Sequence, residues 1–274
     1  GGGTVDNDGR FMTDDGDPDV GKEGALPYLK SQAAREQPFF LTVSLVNPHD
    51  VLAYPAGFSA FGYDDSWLAS TGIELPATVD EDLATKPSAQ QQFQKLTTPM
   101  RPSSADQQRN YLNFYGNLIK ASDAYLVQIL DTLEAEGLLE NTLIIYTSDH
   151  GEMLGAHGML AKSVMYEEAV KVPFFLRVPG IAPKRIAGPT TNLHLTPTLL
   201  DLVDQAPATP LAGRSLAAHL RSGKSTGEDV FVEWNPNRLA RMKQRAPDTL
   251  PGVSEAERER AAHESQRAII TAAG

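Results

Sequence analysis

Thr142-Leu143-Ile144-Ile145-Tyr146-Thr147 is a run with no charged face, and it stops abruptly at Ser148-Asp149-His150-Gly151-Glu152. A strand that is apolar or β-branched at successive positions needs cover on both faces. That is the condition of an inner strand in an α/β sheet rather than of a half-exposed hairpin. Nothing about packing asks for a carboxylate and an imidazole directly after such a strand. In open α/β sheets, however, ligands bind at the C-terminal ends of the strands. Asp149 and His150 offer a hard oxygen and a nitrogen donor, half of a metal site. Taken alone, Ser148-Asp149-His150-Gly151 is equally well explained by a turn in which Asp149 caps the next segment.

The flanking sequence repeats the pattern. Residues 38–46, Pro-Phe-Phe-Leu-Thr-Val-Ser-Leu-Val, predict a second apolar strand, and it runs into Asn47-Pro48-His49-Asp50. His49 thus also follows the end of an expected strand. Residues 106–136 carry a helical period, with Tyr111, Tyr115, Leu118, Tyr125, Ile129 and Leu133 on one stripe and Gly137 placed to cap it. Residues 172–178 predict a third strand, Thr196-Pro197 opens a helix through Val203, and 230–234 and 267–271 read as further strands. Strand, long helix, strand, strand, helix is the alternation of an α/β sheet. Upstream, residues 19–35 read as helical, weakened by Pro27. Ser254 with Glu257 predicts a helix start, and Arg238, Arg241, Lys243 and Arg245 read as a solvated helix face.

Two stretches resist this pattern. Residues 1–19 are rich in Gly and Asp, fail the EF-hand spacing, and are expected to form a solvated loop. Residues 51–105 hold many turn residues and no sustained period, the mark of a lid or substrate loop. Their aromatics Tyr54, Phe58, Phe61, Tyr63 and Trp67 read as a small local core, with a pocket wall as the alternative.

Composition excludes several classes. A net charge of −11, from 24 basic against 35 acidic residues, leaves no basic excess for nucleic acid or an anionic membrane. With no cysteine, disulfides, thiolate metal sites and a cysteine nucleophile are excluded, while the compartment stays open. No apolar run approaches the ~18 residues of a membrane span. Oligomeric state leaves no mark in the sequence. Gly1-Gly2-Gly3-Thr4 is neither a signal peptide nor an initiator, so the chain is expected to begin partway into a longer protein.

His49, Asp149, His150 and Lys162 together suit hydrolysis of a sulfate or phosphate ester. A divalent cation would neutralise the ester, an ammonium adds a second charge, and an imidazole serves the leaving group. At these residues the sequence resembles a family. Residues 148–158, Ser-Asp-His-Gly-Glu-Met-Leu-Gly-Ala-His-Gly, then Lys162, then Tyr166-Glu167-Glu168 through Val172-Pro173-Phe174, are similar to the C-terminal half of the sulfatase motif set. Residues 38–49, 195–202 and 211–216, the last containing Gly213-Arg214-Ser215-Leu216, add three further matches in order.

The resemblance implies an α/β fold of the alkaline phosphatase superfamily, with a mostly parallel or mixed sheet between helices. Residues 1–226 would form the C-terminal part of the catalytic domain, with 51–105 as its irregular active-site loop, and 227–274 would begin a small C-terminal α+β subdomain. It further implies Asp149 and His150 as metal ligands, Lys162 as a sulfate-binding residue, and His49 at the sulfate or leaving-group oxygen. Calcium is the family default, and the His ligand also admits Mg²⁺ or Mn²⁺. The substrate would be a small-molecule or saccharide sulfate ester. His157 lies within a matching motif and is read as structural or as supporting a ligand, while Glu152 and Glu168 are read as structural. The family's nucleophile is a formylglycine made from Cys or Ser within a C/S-x-P/A-x-R signature. This chain is expected to lack it: there is no cysteine, and Ser103 and Ser104, beside Arg101, do not fit. The family's N-terminal Lys and His motif is also missing. A fragment of a sulfatase is therefore the expectation. A phosphonate or phosphate ester hydrolase of the same superfamily, and a non-catalytic binding remnant, are the alternatives.

Overall fold

The computed structural model describes residues 8–12, 24–235, 254, 256 and 265–272. In chain order the helices are α1 (Ala25–Leu29), α2 (Gln32–Glu36), α3 (Ser88–Thr97), α4 (Ala105–Ala135), α5 (Glu167–Val170), α6 (Leu195–Leu202) and α7 (Ala217–Ser222). The strands are β1 (Ile144–Thr147), β2 (Phe174–Arg177), β3 (Val230–Trp234) and β4 (Gln266–Ile270). Two compact units interleave in sequence. The first comprises Gly1–Glu81, Met100–Thr142 and Leu154–Ala161, and the second Asp82–Pro99, Leu143–Met153 and Lys162–Gly274.

The first unit is built on α4. Ser104 caps its start by accepting the Gln107 amide at 3.2 Å. At its end Gly137 takes φ +70, its amide bonds Glu134 O at 3.0 Å, and the Leu138 amide reaches Leu133 O at 2.8 Å. That paired closure is a Schellman motif, and its left-handed position is what glycine tolerates. The N-terminal half of α4 is buried more completely than one stripe requires, with Tyr111, Leu112, Phe114 and Leu118 all essentially inaccessible. The rings of Phe58 and Tyr63 close on Phe114 at centroid distances of 5.0 and 4.7 Å, edge to face. Tyr54, Phe58 and Tyr63 thus form the local core expected of the 51–105 aromatics.

The second unit carries both ladders. β1 pairs β2 antiparallel, Ile144 opposite Arg177 and Thr147 opposite Phe174, and β3 pairs β4 with Val230 opposite Ile270. Each described sheet has two strands, so the parallel ladders of the sequence expectation are not among the described residues. Parallel pairing needs a crossover partner.

Other differences from expectation have physical reasons. Residues 38–46 form neither helix nor strand, and Phe40 is 82% exposed. An apolar strand sequence sets an extended backbone, while a ladder also needs a neighbour. The helix expected over 19–35 is, where described, two short helices broken at Lys30, because Ser31 caps α2 by accepting the Ala34 amide at 3.3 Å. α3 lies inside the stretch expected to be irregular; its apolar stripe is short, Ala89, Phe93 and Leu96, and its buried face also includes Gln92 and Thr97. Asp8 is 3% exposed, not solvated, because backbone amides elsewhere in the fold bind its carboxylate. The basic residues 238–245 and the helix expected after Ser254 fall outside the described residues, apart from Ser254 and Ala256.

Candidate active site

β1 delivers Asp149 and His150 directly after its last ladder residues, at its C-terminal end. Gly151 then turns the chain against α5. Its amide donates to Ala169 O at 2.8 Å, and a Cβ at this position would stand 2.0 Å from Glu168 O. Only glycine fits that approach. The Ser148 hydroxyl donates to His150 O at 2.9 Å, and the His150 amide donates to Asp149 Oδ1 at 2.9 Å. His150 Nδ1 lies 2.9 Å from Gly151 O. A carbonyl only accepts, so in the neutral ring Nδ1 carries the proton and Nε2 presents its lone pair. That Nε2 lies 3.3 Å from Asp149 Oδ2. An oxygen and a nitrogen donor therefore face one another, and Asp149 remains largely solvent-exposed.

Asn192, which the sequence reading did not single out, braces this turn. Its amide nitrogen donates to Ser148 O at 2.8 Å and its carbonyl accepts from Thr147 Oγ1 at 3.2 Å. The signal is non-local, 44 residues away in sequence, and no spacing rule finds it. Two residues on, His194 is buried, and burial followed by the nearby Arg214 charge holds its imidazole below the ordinary value.

Between His150 and the next candidate, Lys162, the backbone is strained. Leu154, His157 and Ala161 have positive φ, at 50, 55 and 64°, and Ser163, directly after Lys162, has φ 99°. Non-glycine residues occupy this region at a cost and cluster at functional sites. In the first unit His157 is held by Thr78 Oγ1, which accepts its amide at 3.1 Å, and by a hydrogen bond between Nδ1 and the Glu81 carboxylate. These contacts tie His157 to residues 78–81 of the same unit. In the second unit Lys162 is half-buried, and the residues that follow are fixed: Ser163 O accepts Gln266 Nε2 at 3.0 Å and Val164 is buried.

His49 belongs to the first unit, at the start of a 3₁₀ turn over His49–Ala53, with an exposed side chain. Asp149, His150 and Lys162 belong to the second. Among the described residues no group of three or more His, Cys, Asp or Glu converges to hold a metal ion. Asp149 and His150 thus stand as a pair of donor side chains, with no third such residue converging on them among the described residues.

The bare nucleophile spacing does occur twice, at Ser31-Gln32-Ala33-Ala34-Arg35 and Ser254-Glu255-Ala256-Glu257-Arg258, which corrects the expectation that no serine satisfies it. Ser31 is employed as the cap of α2, and Arg35 Nε donates to Glu136 at 3.1 Å. Both residues therefore have structural work in the first unit.

The sulfatase family model matches residues 16–205, well over half the chain. The chain belongs to the sulfatase family. Its relatives in that family include the uncharacterized sulfatase YidJ of Escherichia coli, 29% identical over 213 residues, covering 77% of this chain and 40% of that protein. The choline-sulfatase of Rhizobium meliloti is 31% identical over 166 residues, covering 61% of this chain and 31% of the relative. Among solved structures, the phosphonate monoester hydrolase of Silicibacter pomeroyi superposes with a TM-score of 0.63 at 25% identity, over 76% of this chain and 42% of that one. The fold is accordingly that of the alkaline phosphatase-like sulfatases and phosphonate hydrolases. This sulfatase chain spans less than half the length of each of these proteins.

Proposed function

We propose that this chain forms part of the active site of a sulfuric ester hydrolase. Asp149 and His150 serve as two metal ligands, Lys162 binds the sulfate group, and His49 serves the leaving-group oxygen. The observation that carries the reading is the Asp149–His150 pair, set at the end of β1 with Nε2 and Oδ2 3.3 Å apart, in a chain that matches the sulfatase family across 16–205. Divalent metal fits this donor pair: one hard oxygen, and one imidazole whose tautomer is set by the Gly151 carbonyl. Bound there, the metal would neutralise charge on the ester. Calcium is the family default, and the nitrogen donor also admits Mg²⁺ or Mn²⁺.

The chain's own groups supply the rest of the reading. Lys162 places a compact positive charge on sulfate oxygens within a protein of net charge −11, where a local cation is needed to hold an anion. The His49 imidazole, exposed at the start of its turn, donates a proton or a hydrogen bond to the departing oxygen. The nucleophile is supplied by residues outside these 274. Supporting this, the chain spans 31–40% of the length of its relatives, and Ser31 already caps a helix.

The similarity to a phosphonate monoester hydrolase favours a second reading, hydrolysis of phosphonate or phosphate esters at the same site. Turnover of p-nitrophenyl sulfate, a p-nitrophenyl phosphonate ester and p-nitrophenyl phosphate, measured on the protein that carries the nucleophile, separates the two. The sulfatase reading expects the sulfate ester to have the highest kcat/KM. A phosphonate ester preferred over sulfate overturns it.

A further inference from the structure

The backbone on both sides of His49 is tied to buried polar groups, while its imidazole is exposed. Asp8, 38 and 39 residues upstream, is 3% exposed, and its carboxylate oxygens accept the amides of Val46 at 2.6 Å and Asn47 at 3.1 Å. The turn that follows is closed by the His49 amide donating to Val46 O at 3.2 Å. Ser122, on α4, donates from its hydroxyl to Asn47 O at 3.4 Å. On the other side, Asp50 is 6% exposed and accepts the Tyr63 hydroxyl at 2.7 Å. Tyr63 is itself locked among Phe58, Trp67 and Phe114.

These contacts form one connected group. Burial, then the Asp50 hydrogen bond and charge, push the Tyr63 hydroxyl well above its ordinary value, and the Asp8 charge adds to the effect. A hydrogen bond from the Asn47 side chain works in the opposite direction. Tyr63 therefore stays protonated as a donor and reaches the residues on either side of the Pro48-His49 pair. Burying two carboxylates is costly, and it is sustained here by charge-assisted hydrogen bonds. A fold that needed only a loop at this place could have made it without them.

We infer that Asp8 and the Asp50–Tyr63 pair are positioning residues for His49: they fix the backbone on either side of it so that its exposed imidazole has one set direction. The inference rests on the role of His49 proposed above. It gives the Asp8-Gly9 segment, expected to be a solvated loop, a specific task.

The test has two readouts. In this chain, hydrogen exchange of the Val46 and Asn47 amides is compared between wild type and Asp8→Asn, which puts an NH₂ against one of the two donors. Exchange is expected to accelerate at those amides by about tenfold or more, the equivalent of a lost hydrogen bond to a charged group, with amides in α4 unchanged. Tyr63→Phe, which keeps the ring and its packing, provides the second variant. In the protein that carries the nucleophile, each variant is expected to lower kcat for a sulfate ester by about tenfold with KM within about twofold. Neither is expected to lower it further once His49→Ala is present, since residues acting as a unit are not additive. Losses that add fully to that of His49→Ala, or unchanged exchange at Val46 and Asn47, overturn the inference. Wild-type turnover by His49→Ala instead overturns the role given to His49, a separate and distinguishable failure.

Discussion

Replacing Gly151 by alanine probes the packing that turns the chain after Asp149 and His150. The new Cβ would lie 2.0 Å from Glu168 O, a backbone atom that no rotamer change can move away. Ordinary contact needs about 3.5 Å, so the two segments must separate by roughly 1.5 Å. That stretches the Gly151 N–H bond to Ala169 O, now 2.8 Å, beyond hydrogen-bonding range. The lost bond costs about 1 kcal/mol and the forced repacking about 1–3 kcal/mol. Alanine recovers about 0.4–1 kcal/mol by restricting the unfolded chain. A net loss of about 1–3.6 kcal/mol remains, a fall in Tm of about 2–14 °C for a domain of this size. Thermal unfolding followed by circular dichroism measures it directly. A Gly151→Ala variant melting within about 1 °C of wild type would refute the argument that this approach demands glycine.

The other predictions follow the same logic. Gly213→Ala should destabilise at least as much, because its Cβ would meet Leu193 O at 1.8 Å; urea unfolding checks this, and an unchanged midpoint contradicts it. His194, held neutral by burial and by Arg214, takes up a proton on unfolding near its ordinary value of 6.5 and resists doing so when folded. Its contribution is therefore fully present above about pH 6.5 and is lost as pH falls. His194→Leu should lose less stability than wild type between about pH 7.5 and pH 5 in urea titrations, and an equal loss in both proteins refutes the assignment. Arg35→Ala should cost less than about 1 kcal/mol, since Arg35 is half exposed in its pair with Glu136, and added salt should shrink the difference further.

What could be read from the sequence divides by range. α4 was legible because its period and its terminal Gly137 are local signals, and β1 and β2 because short apolar runs with β-branched or aromatic residues set an extended backbone. The placement of Asp149 and His150 just after β1 was legible for a related reason, since the apolar run stops before them; their role as ligands is the proposal made above. The 38–46 run shows the limit of that logic, since an apolar, β-branched run predicts a strand and no ladder partner forms one with it among the described residues. α3 escaped because its ten residues carry an apolar stripe of only Ala89, Phe93 and Leu96, interrupted by four glutamines and flanked by Pro87 and Pro99. Asp8 and Asn192 were invisible for a deeper reason. Each acts through hydrogen bonds to residues about 40 positions away, and only the folded chain brings them together.

The central claim is that these residues are part of a sulfate ester hydrolase whose nucleophile lies outside them. The most direct measurement is release of p-nitrophenol from p-nitrophenyl sulfate, by the purified 274-residue chain in Ca²⁺ and by the same chain joined to a sulfatase nucleophile region. The account predicts no turnover from the chain alone, turnover from the joined protein, and loss of that turnover on Asp149→Ala or Lys162→Ala. Turnover by the chain alone that Ser31→Ala abolishes would contradict it, and would make Ser31 the nucleophile.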